Sequence, residues 1–128
     1  MRYVCLVYTD PRVFAALPQQ EMDDLDDASL AEDAELEASG HLIVAQALQP
    51  VDTAVTIRVR DGRMSATDGP FAETTEQLGG FVYLEARDLN EAMTLAARLP
   101  ITRYASIEVR PILDVAERVR ERREREAG

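Results

Sequence analysis

The sequence predicts an α+β domain built as a ferredoxin-like sandwich with an inserted β-hairpin and a C-terminal helix. Three observations carry this. A strand–helix–strand pattern occurs twice in the chain. An Asp61-Gly62 pair between two alternating runs marks a hairpin in the middle. The helical patterns are few and short of apolar faces, so they cover one side of an antiparallel sheet rather than both.

Each element has a local reason. Arg2 to Thr9 is rich in Val, Leu and Tyr and reads as a strand, ended by Asp10-Pro11. Pro18 suits the first turn of a helix that runs to about Ser39, with Gly40 as its left-handed cap. Met22, Leu25, Ala28 and Leu36 recur at helical spacing on it, interrupted by Ser29, Glu32 and Asp33. Nine carboxylates between Glu21 and Glu37, with no base among them, lack the glycine and alternating oxygens of a calcium loop and read as a solvated face. His41 to Leu48 is the next strand. Val51 to Arg60 leads into another, in which Val55, Ile57 and Val59 alternate with Thr56, Arg58 and Arg60, and Arg63 to Thr67 returns antiparallel. Gly80 to Ala86 is a strand, Asp88 caps a helix from Leu89 to about Leu99, and Pro100 stops it. Ala105 to Arg110 is the last strand, with Ile107 and Val109 inward. From Ile112 the pattern turns helical, and its end is charged, with Asp114–Arg118 and Glu121–Arg125 spaced for ion pairs. The expected division is a domain over residues 1–112 and a helical tail over 113–128.

A length of 128 residues suits one domain. The net charge of −10 argues against nucleic acid, whose binders carry a basic face. No apolar run is long enough to span a bilayer, and the first residues lack the features of a signal peptide, so a cytoplasmic protein is expected. Cys5 is the only cysteine and lies within a strand pattern, where a buried, inert thiol is expected. All fourteen bases are arginine, which excludes lysine Schiff-base chemistry. One histidine and one cysteine cannot build a nitrogen–sulfur metal site, and no phosphate-binding glycine loop appears, so no cofactor or metal is expected.

The segment Asp68-Gly69-Pro70-Phe71, followed by Glu73-Thr74 and Gln77-Leu78-Gly79-Gly80-Phe81, is the most distinctive. With Leu48-Gln49-Pro50, Thr56-Ile57-Arg58-Val59-Arg60-Asp61-Gly62 and Glu108-Val109-Arg110-Pro111, it resembles the DGPF-type branch of the YCII-related (YciI-like) family over roughly residues 2–112. The resemblance implies the dimeric α/β barrel type of ferredoxin-like fold. A histidine–aspartate pair has been suggested as the catalytic centre of such proteins, with the histidine on the first helix. This chain has no histidine there, so that pair does not transfer.

The candidate catalytic residues are His41, Asp68 and Glu73, with Arg58, Arg60 and Tyr8 as candidate substrate-binding groups. His41 is the natural general base at neutral pH, or a strand-end histidine with a structural partner. Asp68 is an acid–base group or a turn former, with Phe71 and Leu78 as apolar anchors of a pinned loop. Arg58 and Arg60 hold a carboxylate or pair with Glu108 across strands. The expectation is one cavity approached by His41, Asp68 and Glu73 and reached by an arginine. Two functions follow: a cofactor-free isomerase or lyase acting on a small acidic or lactone metabolite, or a non-catalytic small-molecule-binding or accessory module. The sheet face without helices calls for cover, which a homodimer supplies.

Overall fold

In a computed structural model covering all 128 residues, the strands are β1 (Arg2–Thr9), β2 (Leu42–Ala47), β3 (Val55–Arg60), β4 (Arg63–Asp68), β5 (Gln77–Glu85) and β6 (Ala105–Pro111). The helices are α1 (Pro11–Ala15), α2 (Gln19–Ala38), α3 (Leu89–Ala97) and α4 (Val115–Ala127). β2, β5, β1 and β6 form one antiparallel sheet in that order, the ferredoxin-like arrangement, while β3 and β4 form a separate two-stranded ribbon. No helix is long and apolar enough to cross a membrane.

Strand alternation sorts the main sheet into two faces. Tyr3, Cys5 and Val7 on β1 and Val82 and Leu84 on β5 turn toward the helices and are buried. They join Leu36 of α2 and Ala92, Leu95 and Ala96 of α3 in the core. Val4, Leu6, Phe81 and Tyr83 lie across from one another on the opposite face, which no helix covers. Phe81 therefore lies on the open face, while Val82 beside it is a core residue.

Local chemistry sets the boundaries. Asp88 accepts a hydrogen bond from the Glu91 amide at 2.9 Å and caps α3. Gly40, at φ +80°, ends the α2 turn, with the His41 amide donating back to the Leu36 carbonyl at 2.9 Å. Asp61 and Gly62 both take positive φ in the hairpin turn. Asp10-Pro11, expected only to end the first strand, also opens α1, because Asp10 caps the Arg12 amide and Pro11 fits the first turn. β5 starts three residues before the expected Gly80. In α4, the Asp114 carboxylate caps the Glu117 amide instead of meeting Arg118, and the ion pairs are Arg120–Glu117 and Arg122–Glu126. None of the α4 residues is buried.

The β1–β5 register slips by one residue between Val7 and Tyr8, where Gly79 is the extra residue of a bulge. A side chain at Gly79 would meet the Thr9 hydroxyl at 2.9 Å, which a rotation relieves. One at Gly80 would meet the Gln46 carbonyl oxygen at 2.8 Å and the Ala47 Cα at 3.3 Å, both backbone and unable to step aside. Gly80→Ala is expected to cost about 2 kcal/mol and Gly79→Ala clearly less, measured by chemical denaturation. Equal losses would show that the β2 backbone yields.

Candidate functional site

A cleft of about 990 Å³ lies between α2 and the end of the sheet where β1 finishes and β5 begins, within the size range of small-molecule sites. Its floor comes from the helix-side face of the sheet, where Ala45, Ala47 and Gly80 present little side-chain volume. Pro50 and Val51, Leu99 to Ile101, and Phe14 of α1 close the sides.

The wall is one complete face of α2. Met22, Leu25, Asp26, Ser29, Leu30 and Asp33 recur at i, i+3, i+4, i+7, i+8 and i+11, so all look onto the cleft. The three residues that interrupt the apolar stripe thus separate in space. Glu32 points toward α3 and pairs with Arg98 at 2.9 Å. Ser29 and Asp33 turn into the cleft, and Asp26 sits one turn before Ser29. Partial burial raises the Asp33 carboxyl above its ordinary value of 3.8, favouring the neutral acid.

The expected site residues do not meet. His41 lies beside the far end of β5, since its carbonyl accepts from the Glu85 amide at 2.8 Å. The loop over residues 69–76 enters β5 at Gln77, eight residues and about 26 Å along the strand. There His41 is a structural link: its Nδ1 is 2.7 Å from Ser39 Oγ and its Nε2 is 3.2 Å from Glu91 Oε1. Glu91 also accepts the Arg87 amide, which with the nearby Arg87 and His41 holds its carboxyl below the usual range. Within one chain, His41 is no acid–base partner of Asp68 or Glu73.

Asp68 ends β4 opposite Val55. The turn is held by the Gly69 amide donating to the Ala54 carbonyl at 2.8 Å and by the Thr56 hydroxyl donating to the Gly69 carbonyl at 2.9 Å, not by the Asp68 carboxylate. Glu73 is exposed on the loop. Phe71 is 78% exposed rather than an anchor, with the Arg58 guanidinium 5.4 Å above its ring. Arg60 donates to the Val59 carbonyl. Neither arginine pairs with Glu108, which accepts instead from the Tyr8 hydroxyl at 3.3 Å on the open sheet face. None of these six residues lines the cleft. Cys5 is buried, which pushes its thiol up to about 11 and leaves it unreactive.

Sequence reasoning missed the wall of α2 as a site. The signal was present in the 26–29–33 spacing of polar residues on the face that also carries Leu25 and Leu36.

A family model described as the YCII-related domain matches residues 1–116. An uncharacterised protein of Rhizobium meliloti (strain 1021) is 38% identical over 117 residues, spanning 88% of this chain and 92% of that protein. Among solved structures, the 5-chloro-2-hydroxyhydroquinone dehydrochlorinase TftG of Burkholderia phenoliruptrix AC1100, in complex with 2,5-dihydroxybenzoquinone, superposes with a TM-score of 0.54. It is 17% identical, and the match covers 88% of this chain and 94% of that one, so the likeness is one of fold.

A carboxyl raised by burial favours the folded state only while protonated. That contribution is present below the unfolded value near 3.8 and is lost as pH rises through the higher folded value, so ionised Asp33 is a burden at neutral pH. Asp33→Asn is therefore expected to melt higher than the wild type at pH 7, with the advantage fading below pH ~4. A melting temperature that drops at pH 7 would mean the carboxylate is a structural group.

Proposed function

The chain belongs to the YCII-related family, and from that premise we propose that the cleft beneath α2 is a cofactor-free catalytic pocket of the isomerase or lyase kind. The observation that carries this is Asp33, a half-buried carboxyl without an ionic partner, raised by its burial, on the wall of a largely apolar cleft of ligand size. Asp26 and Asp33 flank Ser29 by about one turn on either side, so a small ring on the Ala-Gly floor lies between two carboxyl groups. One removes a proton from the carbon beside a carbonyl. The other returns a proton elsewhere on the molecule as the electron pair shifts the double bond. TftG, whose ligand is a small ring and whose named activity is a dehydrochlorination, shows the fold hosting chemistry of this scale. The expected acidic substrate lacks support in the cleft, because Arg58 and Arg60 lie on the ribbon; a lactone ring without a carboxylate fits better.

The test is isomerisation of a β,γ-unsaturated γ-lactone to its α,β-unsaturated form, followed by proton NMR. The wild type is expected to outpace Asp33→Asn by about 10²-fold or more. Equal rates would remove the enzyme reading. The binding-module reading, favoured by the lack of histidine, cysteine and lysine in the cleft, would then replace it. Binding itself is read with the neutral fluorophore N-phenyl-1-naphthylamine, whose signal should fall in Ser29→Trp, where the indole projects from the middle of the α2 wall into the cleft.

The acting unit in this proposal is a homodimer. The ribbon leaves Val55, Ile57, Val59 and Met64 at 57%, 60%, 58% and 68% exposure on one face. A lone two-stranded ribbon is marginal in water, and an apolar face of this kind calls for a partner. The open sheet face with Leu6, Phe81 and Tyr83 calls for the same cover. Sedimentation at micromolar concentration is expected to give two chains for the wild type and one for Ile57→Asp. A wild-type mass of one chain would discard the dimer.

A further inference from the structure

The charge of the cleft wall carries a conclusion about its ligand. Of the residues lining the cleft, three are aspartates, Asp26, Asp33 and Asp52, and none is arginine, lysine or histidine. None of the three enters an ion pair. Eight carboxylates of the chain have a cationic partner, among them Asp10 with Arg12 at 2.8 Å, Glu32 with Arg98 at 2.9 Å and Glu85 with the amino terminus at 3.0 Å, and none of the eight lines the cleft. Glu32 and Asp33 are neighbours in sequence, yet only the one facing away from the cleft has a cation. Asp33 is half-buried and Asp26 and Asp52 are exposed at the rim, and three carboxylates beside an apolar floor with no base among them set up a potential that repels anions and gathers cations.

We propose that the cleft takes a protonated amine on a compact apolar body and turns away carboxylates. The proposal rests on the pocket reading given above and adds the charge of the substrate. The apolar part sits on Ala45, Ala47 and Gly80, and the ammonium group faces the α2 wall, where it supplies the cation that Asp26 and Asp33 lack. Three isosteric probes separate charge from shape: benzylamine, benzyl alcohol and benzoate, each used to displace N-phenyl-1-naphthylamine at pH 7.

Benzylamine is expected to displace the fluorophore about 10-fold more tightly than benzyl alcohol, with benzoate weakest. Asp26→Asn and Asp33→Asn should each bring the amine toward the alcohol and leave the alcohol unchanged. Alcohol and amine binding equally would end the charge proposal while the pocket survives. Benzoate binding as well as the amine, with loss of that binding in Arg58→Ala, would also overturn it and show a partner's ribbon delivering cations to the cleft. If the fluorophore itself fails to bind the wild type, the pocket reading and this proposal fall together.

Discussion

The helix α2 is fastened to the sheet at one end. Leu36, near its C-terminus, is fully buried in one cluster with Cys5 of β1 and Leu84 of β5, the other two large side chains that lose all contact with solvent. Four residues later the Gly40 turn feeds the chain straight into β2, so helix and edge strand share an anchor. Leu25 gives a second point of burial about three turns away, and between them the helix crosses Ala45, Ala47 and Gly80, which offer it little to pack on. The cleft exists because a long helix is pinned by large residues and passes over small ones. Filling the gap with larger side chains would add apolar burial, so the small residues here trade stability for space.

The same logic sorts the acidic residues of α2. A helix with nine carboxylates and no base between Glu21 and Glu37 repels itself and gains little from local pairs. Glu32 and Glu35 obtain Arg98 from the neighbouring connection, at 2.9 and 3.5 Å, which ties the two helices across the face of the sheet. The carboxylates on the cleft side receive nothing comparable, and burial leaves Asp33 reluctant to ionise.

Much of the fold was legible because its signals are local. A positive-φ pair at Asp61-Gly62, a glycine cap at Gly40 and the aspartate cap at Asp88 each determine a few residues by themselves, and strand alternation placed Ile107 and Val109 inward. The candidate site was poorly legible because its residues come together through packing. On a helical wheel Asp26, Ser29 and Asp33 look like solvated polar positions, and only the small residues beneath them turn that face into a wall. His41, the one histidine, drew attention by its type, but its register opposite Glu85 sends it to the other end of the sheet. The Asp68–Phe71 motif was conspicuous as sequence, yet its role in one chain is to fold the base of the ribbon through the backbone of Gly69.

The bulge at Gly79 sets the parity of β5. Upstream of it Leu78 shares the open face with Tyr8, and downstream Gly80 shares the helix side with Val7, although the two are an even number apart and would otherwise face the same way. Counting backward from Val82 therefore gives the wrong side for every residue before the bulge. The phase of the strand is set at a single glycine, close to where the long loop joins the sheet. Loop length and cleft lining are thereby uncoupled: one residue more or less between Pro70 and Glu76 costs little in closure entropy, and the residues from Gly80 onward keep their faces regardless.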